Sequence, residues 1–143
     1  MINTACNLKC GHCAVFENTF FDRRRPVSSS SDISQVLTFA AIKNIQRVIV
    51  SGGEPTLSPW LLPVFDALLN EALEFSLSTN GTTIDSSFAR RLFEHGLRKV
   101  TVSLDGARTI THEQLRGVGT FPLALRGATA LAAAGVDVTV GVF

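Results

Sequence analysis

Cys6, Cys10 and Cys13 are the only cysteines in the chain, and they share one short run, Cys6-Asn7-Leu8-Lys9-Cys10-Gly11-His12-Cys13. The C-x3-C-x2-C spacing gives one loop three thiolates that can converge on a single inorganic centre, with one coordination position lacking a protein ligand. An odd count argues against a closed set of disulfides, and the clustering points to a metal or a cluster. Soft sulfur donors suit iron, and an iron with an open position can take an external ligand, so an iron–sulfur cluster is the first reading. A zinc site closed by His12 is the second. Structural zinc sites usually bring paired ligands from two places, and His12 adjoins Cys13, which strains joint ligation.

The elements that must position this loop follow from periodicity. Arg47–Ser51, Phe75–Thr79 and Val100–Leu104 read as strands, and Val136, Val138 and Val140 alternate in a fourth. Helices fall between them. Ile33, Val36, Leu37, Ala40, Ala41 and Ile45 make one apolar face, with Ser30, Ser31 and Asp32 as N-cap candidates. Leu61, Val64, Phe65, Leu68, Leu69 and Ala72 make a second, whose first turn Pro63 is expected to break or delay. A third runs from near Asp85 to Gly96, and an alanine-rich fourth runs from about Thr120 to Gly135, the two glycines ending them in the left-handed conformation.

Strand, helix, strand in repetition means parallel βαβ units, wound as an open sheet or a barrel. In both, functional groups collect at the C-terminal ends of the strands. Ser51-Gly52-Gly53-Glu54-Pro55, Ser78-Thr79-Asn80-Gly81 and Ser103-Leu104-Asp105-Gly106 fall there, and the cysteine loop follows a stub of an earlier strand, Met1–Ala5. Four strand ends thus face one rim.

Bulk properties narrow the classes. At 143 residues, 45% hydrophobic and 17% charged, the chain suits one globular domain, and a net charge of +1 gives no reason to propose nucleic acid as a partner. No apolar run approaches the roughly 18 to 20 residues of a membrane span. Clustered free thiols, with no signal-peptide pattern at Met1–Ala5, point to the reducing cytoplasm.

Taken together, Cys6-x3-Cys10-x2-Cys13, Gly52-Gly53-Glu54-Pro55, Ser78-Thr79-Asn80-Gly81, Ser103-Leu104-Asp105-Gly106 and His112-x3-Arg116-Gly117 resemble the radical S-adenosylmethionine superfamily. The likeness is to its branch of peptide-modifying (SPASM-type) maturases, heme-modifying enzymes and the molybdenum-cofactor cyclising enzyme. The resemblance implies a partial (β/α)6 barrel of parallel strands. Residues 1–143 would be its core domain, incomplete, with a short first strand and an end within the fifth βα unit. It implies a [4Fe-4S] cluster on Cys6, Cys10 and Cys13, with S-adenosylmethionine chelating the fourth iron. The backbone of Gly52, Gly53 and Glu54 would meet the cofactor's ammonium, and Ser103 and Arg116 its carboxylate. His12 stands where the family commonly carries an aromatic beside the adenine. The implied activity is reductive cleavage of S-adenosylmethionine to a 5′-deoxyadenosyl radical for hydrogen abstraction. The substrate would be a peptide or a small molecule, and the electron donor a flavodoxin or ferredoxin. The rival classes are a structural or sensing metal module and an inactive recognition module.

Other residues have plainer readings. Thr79 and Asn80 are rim residues available to cofactor or substrate. Asp105 is read as a structural turn residue, and His112 as solvated in a polar loop. His95 is read as a helix-end group, Trp60 as packing and Arg23-Arg24-Arg25 as a solvated loop.

Overall fold

The computed structural model describes residues 1–13 and 26–142. Four strands, β1 (Arg47–Val50), β2 (Glu74–Thr79), β3 (Lys99–Ser103) and β4 (Asp137–Gly141), form one sheet in sequential order. Every pairing is parallel. The crossovers carry α1 (Ser30–Ile42) ahead of β1, α2 (Leu61–Asn70) before β2 and α3 (Ser86–Glu94) before β3. Two helices, α4 (Thr109–Arg116) and α5 (Thr120–Ala133), separate β3 from β4. A segment at the N-terminus runs beside the loop that follows β1: Ile2 N–H donates to Ser51 O, Gly53 N–H to Asn3 O and Glu54 N–H to Ala5 O. The sheet itself has four strands, and this segment, where a short first strand was expected, is not one of them; its backbone bonds deliver the chain directly into the cysteine loop.

β-Branched residues alternate along each strand and sort its two faces. Phe75, Leu77, Val100 and Val102 turn towards the helices, where they meet Phe65 and Leu68 of α2, Leu92 of α3 and Leu131 of α5 in one core. Full burial of each such side chain contributes about 1.5–3 kcal/mol. The opposite face carries Ser76, Ser78 and Thr101, and Ile49 there is 70% exposed. Strands with one packed face and one open, polar-lined face are those of a barrel wall, and they give the partial (β/α) barrel.

Helix limits follow local chemistry, with three departures from the sequence reading. Ser29, one residue earlier than expected, caps α1 by accepting the Asp32 N–H, while Asp32 Oδ2 accepts from the Ser28 and Ser29 hydroxyls. Pro63 does not delay α2, which begins at Leu61. Proline is tolerated in a first turn because the N–H groups there have no intrahelical acceptor. The loop expected around His112 is the helix α4. Its inward residues, His112 and Arg116, are four apart and polar, so hydrophobic periodicity carries no trace of them. Asp85 caps α3 through Phe88 N–H, and Gly96 and Gly135 adopt positive φ as expected. His95 sits at the end of α3 and meets Asp66 at 2.6 Å, and Trp60 packs against the core. Arg23-Arg24-Arg25 lies outside the described residues. Among those residues no helix is long and apolar enough to cross a membrane.

Gly127 sits mid-helix, where glycine costs about 1 kcal/mol relative to alanine. A Cβ there would strike the carbonyl oxygen of Gly81. Its absence lets α5 rest directly on the turn that follows β2, and so steadies one side of the rim.

Candidate functional site

The C-terminal ends of the strands enclose a cleft of about 300 Å³. Cys6, Cys10 and Cys13 line it together with His12, Gly52, Gly53, Thr79, Asn80, Ser103 and Arg116. Every sequence-predicted site residue except Glu54 therefore opens onto one space. A larger hollow of about 630 Å³ lies at the other end of the strands, near Arg47, Glu74 and Lys99. It contains none of the predicted chemistry, in keeping with the rule that parallel barrels work at their C-terminal rim.

All three thiols are free and partly buried. Burial raises the Cys6 thiol above its ordinary pKa, opposed by the Leu8 N–H that approaches Cys6 Sγ at 3.4 Å. Burial raises Cys10 as well, opposed by the charge of Arg116, whose Nη1 stands 3.9 Å from Cys10 Sγ. Ligation requires thiolate, so an inorganic centre must displace these protons as it binds. Among the described residues no three His, Cys, Asp or Glu side chains are grouped to hold a single metal ion. The thiols are therefore not drawn into a preformed single-metal site, with or without His12.

Arg116 reaches this cleft from the last turn of α4. Its Nε donates to Asp105 Oδ2 at 2.6 Å and its Nη2 to Asp105 Oδ1 at 3.3 Å. The Asp105 side chain has no solvent exposure, so this pair is buried rather than a surface bridge. One edge of the guanidinium is thereby held, and the remaining Nη1 faces the cysteine loop. His12 Nε2 lies 3.5 Å from Arg116 Nη2 and 3.7 Å from Asp105 Oδ2, which turns the ring edge towards the ion pair. Asp105, read from the sequence as a turn residue, is thus the anchor of the site's guanidinium. His112, read as solvated, is 1% exposed. Its Nδ1 accepts the Asp105 N–H at 3.2 Å, and its pKa is lowered by burial and then by Arg116. The Gly11 N–H donates to Leu115 O, so α4 holds the cysteine loop through its backbone as well.

Glu54 is the predicted residue that faces inward, away from the cleft, at 1% exposure. Its Oε1 accepts from Thr56 N–H, Thr56 Oγ1 and Thr79 Oγ1, and its Oε2 from Asn80 N–H at 2.7 Å. The carboxylate ties the end of β1 to the end of β2, while its own N–H grips Ala5 beside the cysteines. Thr79 Oγ1 also accepts from Gly81 N–H, so that hydroxyl is committed within the protein. A Cβ on Gly53 would collide with the carbonyl oxygens of Ala5 and Thr4, and one on Gly52 with Asn3. These glycines are required by the close pass of the N-terminal segment, a reason local to the fold. Among the described residues no hydrogen bond reaches the carbonyls of Gly52 and Gly53 or the Ser103 hydroxyl, and all three residues line the cleft.

Sequence reasoning missed Asn3, Asn7 and Thr82. Asn3 Nδ2 donates to Glu54 O, and Asn7 and Thr82 bond across the rim. Short amides next to a ligand loop signal only turns when read in isolation.

Comparison with known proteins bears directly on this arrangement. The family model for the radical SAM superfamily matches residues 1–143. Fe-coproporphyrin III synthase of Methanosarcina barkeri is 35% identical over 128 residues, covering 85% of this chain and 30% of that protein. Mycofactocin maturase MftC of Mycobacterium ulcerans is 33% identical over 132 residues, covering 92% of this chain and 35% of its own. The chain thus spans about a third of the length of these curated relatives. The structure of anSMEcpe with bound AdoMet superposes with a TM-score of 0.70 at 27% identity, over 97% of this chain and 41% of that one. Streptococcus suis SuiB superposes with a TM-score of 0.78 at 20% identity, over 99% and 31%, a likeness of fold alone.

Proposed function

The chain belongs to the radical SAM superfamily, and from that premise we propose that residues 1–143 are the core of an enzyme that cleaves S-adenosylmethionine reductively to initiate radical chemistry. The observation that carries this reading is the convergence on one cleft of three free thiols, the uncommitted Gly52 and Gly53 carbonyls, Ser103 and the guanidinium of Arg116. The family's cofactors are a [4Fe-4S] cluster and S-adenosylmethionine, and this donor set fits both. Thiolates suit iron, carbonyls suit an ammonium, and a hydroxyl with a guanidinium suits a carboxylate.

When bound, this pair would supply the family's chemistry, one-electron reductive cleavage of the sulfonium that initiates hydrogen abstraction, with the electron coming from an external reductant. The chain's own part is binding, orientation and exclusion of water. Cys6, Cys10 and Cys13 hold the cluster. Gly52, Gly53 and the backbone of Glu54 receive the ammonium of the cofactor, Ser103 and Arg116 its carboxylate, and His12 borders the adenine. Thr79 supports the rim. Asp105 holds one edge of Arg116 so that the other edge is presented to the ligand. No side chain need act as acid or base in the cleavage.

The relatives, which include by name a mycofactocin maturase and a heme synthase, support a reading of the partner class. A peptide or small-cofactor precursor is the substrate, a flavodoxin or ferredoxin the reductant, and the cytoplasm the compartment. The test is anaerobic reconstitution of the intact protein, reduction with S-adenosylmethionine present, and measurement of 5′-deoxyadenosine. The reading predicts the product in the parent and its loss in Cys10→Ala. A fully loaded parent that forms none would reject the reading in favour of a metal-binding module without radical chemistry.

A further inference from the structure

Asn7, Asn80 and Thr82 close a ring of hydrogen bonds against Cys6. Asn80 Nδ2 donates to Asn7 Oδ1 at 3.0 Å, Asn7 Nδ2 donates to Thr82 Oγ1 at 2.9 Å, and the Thr82 hydroxyl donates to Asn80 Oδ1 at 2.8 Å. The Thr82 backbone N–H, which can only donate, also reaches Asn80 Oδ1, at 2.9 Å. That fixes the orientation of the Asn80 amide, with Oδ1 towards Thr82 and Nδ2 towards the cysteine loop. One Nδ2 hydrogen serves Asn7. The other faces Cys6 Sγ, 3.9 Å away.

The two sides of the ring differ in rigidity. Asn80 and Thr82 are each 6% exposed. They sit on a turn gripped by Glu54 through the Asn80 N–H and pressed by α5 where Gly127 meets Gly81. Asn7 is exposed, on the loop itself. The ring therefore hands the rigidity of the β2 turn to the Cys6–Asn7 segment. Each ring bond orients the next donor, so opening the ring at one point loosens the whole.

We propose that this ring is the device that positions Cys6, and that Asn80 is its positioning residue, acting on the cluster through the cysteine sulfur. The inference rests on the reading that Cys6 is a cluster ligand. Before loading, the ring holds the Cys6 thiol in place. After loading, the Asn80 N–H draws charge from the sulfur and stabilises the reduced state, because hydrogen bonds to cluster sulfurs set potential.

The test uses the intact protein and the variants Asn7→Ala, Thr82→Val and Asn80→Ala. In the metal-free chain, Asn7→Ala and Thr82→Val should each raise the rate of Cys6 alkylation by iodoacetamide about tenfold, the scale of one or two lost hydrogen bonds. Cys10 and Cys13 should keep their rates, and the double variant should match the singles. In the loaded protein, Asn80→Ala should shift the cluster's midpoint potential to more negative values, while Asn7→Ala, which keeps the amide beside the sulfur, should shift it less. Parent-like Cys6 alkylation in both ring variants would overturn the ring. An unchanged potential in Asn80→Ala would overturn the action on the sulfur. If the parent takes up no cluster, the ligand reading fails instead, and the alkylation pattern still decides the ring. Because Asn7 is exposed, its replacement leaves the core intact and the test readable even if Asn80→Ala unfolds.

Discussion

Replacing Glu54 by glutamine keeps the shape of the side chain and exchanges one acceptor oxygen for an amide nitrogen. The native carboxylate accepts from two backbone N–H groups, Thr56 on Oε1 and Asn80 on Oε2, and from the hydroxyls of Thr56 and Thr79 on Oε1. Hydroxyls can rotate to accept, but backbone N–H groups cannot. In one orientation the new amide nitrogen faces Asn80 N–H, and in the other it faces Thr56 N–H. Either way one backbone donor loses its acceptor and one charge-assisted bond is lost. Each of these losses costs on the order of 1–3 kcal/mol, and the smaller desolvation of a neutral amide offsets part, so the net is about 3 kcal/mol. For a domain of this size that lowers the melting temperature by roughly 10 °C. Thermal and urea unfolding of the metal-free protein measure it without any contribution from cofactor, and the urea slope should not change. An unaltered melting temperature in Glu54→Gln would refute the reasoning, since it would mean that the carboxylate serves the cleft rather than the backbone.

Substitutions at two neighbouring residues, Arg116 and His112, probe the rest of the site. Arg116→Ala takes the guanidinium from a carboxylate that has no solvent exposure, and removing one partner of a buried pair costs about 3 kcal/mol or more. The loss should appear in unfolding of the metal-free protein, and Arg116→Lys should recover only part of it because an ammonium cannot hold both oxygens through a fork. A defect confined to S-adenosylmethionine binding would contradict the structural half of its role. His112 supplies a pH dependence of known sign. Burial and Arg116 lower its folded pKa, whereas the unfolded chain titrates near 6.5, so below about pH 6.5 the unfolded state binds the extra proton. Its contribution to stability is present above that value and is lost as the pH falls towards the folded pKa. Urea midpoints measured between about pH 5 and 7.5 should decline on the acid side in the parent and decline less in His112→Gln. Identical slopes would remove His112 as the source.

The parts of the fold that obey periodicity were legible in the sequence. The four strands fell within a residue or two of their bounds, and four of the five described helices announced themselves, through apolar faces such as Leu61, Phe65 and Leu68 or, for α5, through an alanine-rich run ended by glycine. The helix α4 did not, because it buries His112 and Arg116 against Asp105 and has too few apolar residues to show a period. The cleft was legible for a different reason: parallel strands bring their C-terminal ends to one rim, so the cysteines, Gly52 and Ser103 could be gathered without knowing any distance, and Arg116 joined them only through the family resemblance. Direction was what the sequence did not carry. Glu54 looks like a rim group by position, yet its carboxylate turns inward to four donors. The same holds for Asn7 and Thr82, which are unremarkable polar residues until the fold sets them 2.9 Å apart.

The central claim is that three thiolates hold a cluster whose remaining iron is filled by S-adenosylmethionine and not by the protein. Electron paramagnetic resonance of the reduced, anaerobically reconstituted protein, recorded with and without S-adenosylmethionine, tests it directly. The account predicts a [4Fe-4S] signal that changes shape when S-adenosylmethionine is added and is absent from Cys6→Ala, Cys10→Ala and Cys13→Ala. A cluster signal indifferent to S-adenosylmethionine, or a protein that retains stoichiometric zinc and takes up no iron, would contradict it.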